Sequence, residues 1–259
     1  MMTKKSILQK ILAVLARATI RAYKPVVVGI TGSVGKTSTR LATYAVVKKK
    51  FRVRTAEKNY NNEIGLALTI LGIPHYGRNI FGWISGLAPA AMRLVIRNPR
   101  YPEILVLEYG VDRPGDMDYL VSLARPEVAV VTAIGEVPAH VEFFENPEAL
   151  AREKAKLVAA LPSAGFAILN HDDYAAYDMR GSTPARVITF GQEEHAEVRM
   201  DNYEFRIGPF ERYLWRAALI RGLGCGSRWH CVEDESGGYL RSLACVYART
   251  RTHAALEGH

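Results

Sequence analysis

The stretch "VVVGITGSVGKTSTR", Val26 to Arg40, decides the fold. Its apolar start, Val26 to Ile30, reads as a buried strand, and a helix is expected from about Lys36. Gly32 and Gly35 in the turn between them let backbone N–H groups approach an anion closely. The start of the following helix points its positive dipole end at the same anion. Lys36 can bridge terminal phosphates, and the Thr37 hydroxyl can ligate Mg2+. Strand, glycine turn and helix in this order predict a phosphate-binding loop built from Thr31, Gly32, Ser33, Val34, Gly35, Lys36, Thr37 and Ser38. The spacing departs from the common GxxxxGK(S/T) form. Ile30 stands where that form has its first glycine, and Gly29 comes one position too early.

Outward from the loop, strands and helices alternate. "FRVRTA" (51–56), "EILVLEYG" (103–110), "EVAVVTAIG" (127–135), "GFAILN" (165–170) and "ARVITFG" (185–191) read as strands. Helices are expected over 36–48, within 61–73, over 79–98 with Pro89 marking a kink or break, and over 116–124 and 147–161. This order predicts an α/β fold with a P-loop-type, mostly parallel sheet and helices on both faces. An amphipathic basic helix precedes it over residues 1–24, with Ile7, Leu8, Ile11, Leu12 and Leu15 at helical spacing. Packing on the domain is its plainer reading, and a peripheral membrane or protein contact is the sharper one.

Composition bounds the classes. The chain has 259 residues, 49% hydrophobic and 23% charged, with a net charge of +8. The excess of cations permits anionic partners and selects none, so no nucleic-acid role is assigned. No apolar run is long enough to span a bilayer and no secretory signal stands out, so a cytoplasmic monomer is expected. The three cysteines, Cys225, Cys231 and Cys245, are odd in number and lack close metal-ligand spacing, which argues against a disulfide framework or structural zinc. The central domain is placed at 25–200. No lysine occurs beyond Lys156, and 201–259 reads as an irregular tail, either a small subdomain or a truncated or non-native ending.

Polar residues gather where strands end. Glu108 closes one strand, Gly135 and Glu136 follow another with His140 shortly after, and Asn170, Asp172 and Asp173 follow a third. Ligands of open α/β sheets bind outside the carboxyl ends of the strands. With Thr37 nearby in such a fold, Glu108 reads as a metal ligand.

"GITGSVGKTS", "NNEIGLALTILG", "LEYGVDRPGDM", "AVVTAIGEVPAHVEFF", "AREKAKLVAALP" and "AILNHDD" together resemble the central ATPase domain of the Mur ligases, over about residues 25–191. The "TGxxGKT" form of the loop is part of that likeness. Within the family, the Asn-Asn-x-Ile-Gly element and the "LEYGVDRPGDM" segment resemble the member that joins D-alanyl-D-alanine to a UDP-sugar peptide. Folylpolyglutamate synthase and cyanophycin synthetase are more distant relatives. The resemblance implies ATP-dependent amide bond formation in peptidoglycan precursor synthesis. A substrate carboxylate takes the γ-phosphoryl group of ATP, and the incoming amine displaces phosphate from the acyl phosphate. It implies ATP and Mg2+ as cofactors, and these roles by position. Lys36 is the phosphate-loop lysine, Thr37 and Glu108 hold one Mg2+, and His140 belongs to a second metal site. Lys154, if carbamylated, joins that second site, with Lys156 as its near neighbour in sequence. Asn62, beside Asn61, lies near the phosphates, and Asn170 and Asp173 belong to an "N-x-D-D" element.

A full member of the family adds an N-terminal substrate domain and a C-terminal domain, and neither is evident here. The family's His-Asn-x-x-Asn element is not found after the central sheet. An ATP-binding module without full ligase activity is therefore the alternative reading. A small kinase or GTPase fits less well, because no guanine-type Asn-Lys-x-Asp occurs and Glu108 replaces the usual strand-end aspartate.

Overall fold

A computed structural model describes residues 4–56, 60–135, 144–201 and 204–206. Val26–Thr31 forms the central strand β1, buried along its whole length. Around it lie β2 (Val53–Thr55), β3 (Ile104–Glu108), β4 (Val128–Val131), β5 (Phe166–Asn170) and β6 (Arg186–Gly191). Two further strands, β7 (Val198–Asp201) and β8 (Glu204–Arg206), extend the sheet beyond the sequence expectation. The order is β2-β3-β1-β4-β5-β6-β7-β8. Every pairing is parallel except that of β7 with β8. The sheet thus runs past residue 200 to Arg206, and residues 207–259 lie outside the described residues.

The helices are α1 (Lys4–Tyr23), α2 (Lys36–Val47), α3 (Glu63–Leu71), α4 (Ile80–Val95), α5 (Asp116–Leu123), α6 (Pro147–Ala159) and α7 (Tyr174–Asp178), the last followed by a 3-10 turn, Met179–Ser182. Alternate strand residues face opposite ways. Val27, Leu105, Leu107, Ala129, Val131, Ala167 and Leu169 point to a core shared with α1, α3, α5 and α6. Val26, Val28, Ile30, Val106, Val130 and Ile168 point to the other core, which Val47 of α2 helps to cover. Each fully buried Leu, Ile or Val contributes roughly 1.5–3 kcal/mol. The expected parallel sheet with helices on both faces is the one observed.

α1 packs on this domain through Leu12, Ala13 and Ala16, all buried. α3 is capped by Asn62, whose side chain accepts from the Gly65 N–H, and it ends at Gly72 in the left-handed region. Of the kink or break expected at Pro89, the break does not occur, because α4 runs through it to Val95. Pro89 and Ser85, whose carbonyl loses its N–H partner, are both exposed, so water can satisfy that carbonyl.

Candidate phosphate-binding site

β1 ends at Thr31 beside the ends of β3 and β4, and the chain turns there into α2. The turn is pinned from β4. Ser33 and Val34 donate backbone N–H bonds to the Ala133 carbonyl at 2.7 and 3.2 Å, and Thr132 Oγ1 donates to the Val34 carbonyl at 2.7 Å. Gly32 has φ 145°, and a Cβ there would lie 1.9 Å from Thr132 Oγ1. Only glycine fits so tight a passage. Gly35, with φ 86°, is the N-cap of α2 and brings no side chain to cap it. The first N–H groups of α2 therefore face an open cleft, as anion binding requires.

That cleft is lined by Ser33, Gly35, Lys36, Thr37, Ser38, Asn61 and Glu108. Lys36 Nζ donates to the Ser33 carbonyl at 3.0 Å. Burial lowers its pKa, while the negative charges of Glu108 and Asp112 oppose that shift. Thr37 Oγ1 stands 3.2 Å from Glu108 Oε2 and 3.4 Å from Oε1. Glu108 is itself buried and ion-paired to Arg40, with Nε 3.3 Å from Oε2. Arg40 also donates to Thr55 Oγ1 at 3.1 Å and to the Ala56 carbonyl. The guanidinium fixes the carboxylate from behind and leaves it aimed at Thr37.

Lys154 reaches the same loop from α6. It is only 3% exposed, and its Nζ donates to the Gly32 carbonyl at 2.8 Å. Burial and then the charge of Lys36 pull its pKa down to about 7, with Asp112 pulling the other way. Lys156, two residues on, points outward to Asp118 and Glu153, each at 2.7 Å, and these bonds raise its pKa. The helix thus sorts the two lysines, one toward the loop and one toward solvent.

Residues 90–211 match the family described as the Mur ligase middle domain. Over those residues the chain is similar to a Mur ligase middle domain. UDP-N-acetylmuramoyl-tripeptide--D-alanyl-D-alanine ligase of Bacillus subtilis (strain 168) is 29% identical over 188 residues, which make up 73% of this chain and 35% of that protein. The enzyme of the same name from Mycobacterium leprae (strain TN) is 33% identical over 176 residues, 68% of this chain and 29% of that one. Among solved structures, the MurF ligase of Thermotoga maritima in complex with ADP superposes with a TM-score of 0.58 at 30% identity, covering 78% of this chain and 40% of that one. A MurF from Acinetobacter baumannii gives 0.61 at 18% identity over 91% of this chain and 49% of that one, a likeness of fold alone. The chain spans about a third of the length of the curated relatives it matches.

In and around the cleft, the sequence-expected residues sort by what they touch. Ser33, Gly35, Lys36, Thr37, Ser38 and Glu108 meet in the cleft, and Lys154 holds its loop. The Thr31 hydroxyl instead donates to the Tyr109 carbonyl at 2.9 Å, and the Val34 side chain faces solvent. Asn61, not Asn62, lines the cleft, since the Asn62 side chain is spent on capping α3. Asn170 accepts from the Asp172 N–H and does not line the cleft. His140 lies outside the described residues. Among the described residues, no three His, Cys, Asp or Glu side chains gather as a metal cluster.

Sequence reasoning passed over Arg40 and put Asn61 second to its neighbour Asn62. Arg40 lies three residues after Thr37, the spacing that puts both on one side of α2, facing Glu108. Asn61 fits because Gly110 is small: a Cβ on Gly110 would come within 2.8 Å of Asn61 Nδ2.

Asp173 has a defined task. It accepts from the Ile134 and Gly135 N–H groups, both at 2.8 Å, and caps α7 through Ala176 N–H. One carboxylate thereby ties the loop after β4 to the end of β5. Asp173→Ala should lower unfolding free energy by about 1–3 kcal/mol, measured from urea midpoints. An unchanged midpoint would show that water replaces these bonds at no loss.

Proposed function

We propose that this domain binds ATP with Mg2+ in the cleft and serves an ATP-dependent ligase of peptidoglycan precursor synthesis. The observation that supports it most is the meeting of Lys36, Thr37, Glu108 and the Lys154-held loop at one helix N-terminus. The relatives named above are UDP-N-acetylmuramoyl-tripeptide--D-alanyl-D-alanine ligases, and one solved relative holds ADP. A hydroxyl and a carboxylate are hard oxygen donors, and Mg2+ uses few protein ligands when phosphates supply the rest. Thr37 and Glu108 would hold it. Bound there, the ion supplies charge neutralisation at the phosphoryl oxygens.

The chain's own residues do the positioning. Backbone N–H groups at the start of α2 bind the phosphate oxygens, and Lys36 spreads its charge over the terminal ones. Arg40 holds the Glu108 carboxylate in orientation through its ion pair. A carboxylate oxygen of the UDP-sugar peptide then attacks the γ-phosphorus and ADP leaves. The amine of D-alanyl-D-alanine attacks the acyl carbon, loses a proton, and phosphate departs. Lys154, whose pKa burial and then Lys36 pull down to about 7, has near neutral pH a substantial share of the amine form that adds to CO2. The new N–C bond to CO2, with loss of one proton, would turn the neutral amine into a carbamate anion, which with His140 would form the second metal position.

A second reading rests on the share of the relatives that the chain spans: an ATP-binding module that does not complete ligation alone. Phosphate release from ATP separates the two. The ligase reading expects release that requires both UDP-N-acetylmuramoyl-tripeptide and D-alanyl-D-alanine. ATP binding without substrate-dependent release would favour the module, and absence of ATP binding would overturn both.

A further inference from the structure

α4 turns an apolar face to solvent. Phe81 is 83% exposed, Ile84 59%, Met92 60% and Val95 86%. Their spacing puts them on one side, together with exposed Ala88, opposite the buried Gly82, Trp83, Gly86 and Ala90. Ile80 and Ile96 extend the stripe at its ends. A continuous exposed apolar stripe marks an interaction surface, unlike scattered single residues.

The charge around it has one sign. No Asp or Glu occurs between Glu63 and Glu103, a span that holds Arg78, Arg93, Arg97 and Arg100. Arg78, Arg97 and Arg100 are exposed and flank the stripe at both ends. α1 packs against α4, and Tyr23 Oη at its end donates to the Arg93 carbonyl at 2.7 Å. α1 adds Lys10, Arg17 and Arg21, and no acidic residue precedes Glu57 in the sequence. Ile7, Ile11 and Val14 of α1 are exposed as well.

We propose that the joint face of α1 and α4 docks on an anionic phospholipid surface, with Phe81, Ile84, Met92 and Val95 entering the acyl boundary and Arg78, Arg97 and Arg100 at the headgroup phosphates. An apolar stripe flanked by Arg78, Arg97 and Arg100 is complementary to such a surface. A second copy of the chain is a poor occupant, because the same face against itself sets cation against cation. The cleft stays open in this pose. It lies at the carboxyl ends of β1 and β3, whereas α1 and α4 cover one face of the sheet.

The test is co-sedimentation of the full chain with phosphatidylcholine vesicles, with and without phosphatidylglycerol. Partitioning onto the anionic vesicles should be about tenfold stronger than onto neutral ones. It should fall in about 0.5 M salt, where charges are screened within a few ångströms. The double variant F81S/V95S should lose binding and keep the far-UV circular dichroism of the wild type. R97Q/R100Q should keep the fold and bind anionic vesicles less. Three results would overturn the proposal: no lipid-dependent sedimentation, binding that persists in F81S/V95S, or a concentration-dependent oligomer that F81S/V95S abolishes without any lipid binding.

Discussion

Lys36→Ala should weaken ATP binding in the presence of Mg2+ by about 10- to 100-fold and leave the fold intact. A charge-assisted hydrogen bond contributes about 1.5–3 kcal/mol, and each 1.4 kcal/mol is about tenfold in affinity. The Lys36 amine sits at the rim of the cleft on the Ser33 carbonyl, so a triphosphate can take it over with a small movement. The variant loses one such bond, and Ser33 remains tied to Ala133 through the backbone. The loss of a neighbouring cation has a second consequence. Lys36 is one of the charges that lower the pKa of Lys154, so the variant should raise it. Titration calorimetry with ATP and Mg2+ measures the first effect, and a thermal melt checks the fold. Equal affinity in the two proteins would mean that the nucleotide phosphates do not reach Lys36.

The framework was legible because parallel strands buried on both faces leave unbroken apolar runs. "VVVGI", "ILVLE" and "FAILN" could be read as strands for that reason, and each proved to be one. The loop was legible because its glycines answer a local need. Gly32 passes Thr132 where a Cβ would clash, and Gly35 sits at positive φ. β7 and β8 escaped because they are short and carry no such run. Pro89 left two outcomes open, a kink or a break, and the break does not occur because α4 is held by Trp83 and Ala90 in the core on both sides of it. Arg40 escaped, and Asn61 ranked behind Asn62, for a different reason. Their importance lies in contacts with residues far along the chain, Glu108 and Gly110, which spacing within one element does not reveal.

Lys154 gives the second large effect, and its sign follows from linkage. Its pKa falls from 10.5 to about 7 because burial disfavours the charged amine, and Lys36 adds repulsion. In the unfolded chain the amine keeps its proton up to about 10.5, so between these values the unfolded state binds more protons and stability rises with pH. The unfavourable contribution is fully present below about 7 and gone above about 10.5. A depression of this size corresponds to roughly 5 kcal/mol. Lys154→Met keeps the length and the packing but has no proton to lose. It also gives up the bond to the Gly32 carbonyl, a loss of about 1 kcal/mol that does not vary with pH in this range. The difference in stability between wild type and Lys154→Met should therefore shift toward the wild type by several kcal/mol as pH rises from about 7 to about 10. Urea unfolding of both proteins, free of nucleotide and metal and purged of CO2, measures it. Parallel pH profiles would mean that the buried amine keeps its proton, and the neutral form that carbamylation requires would then be missing.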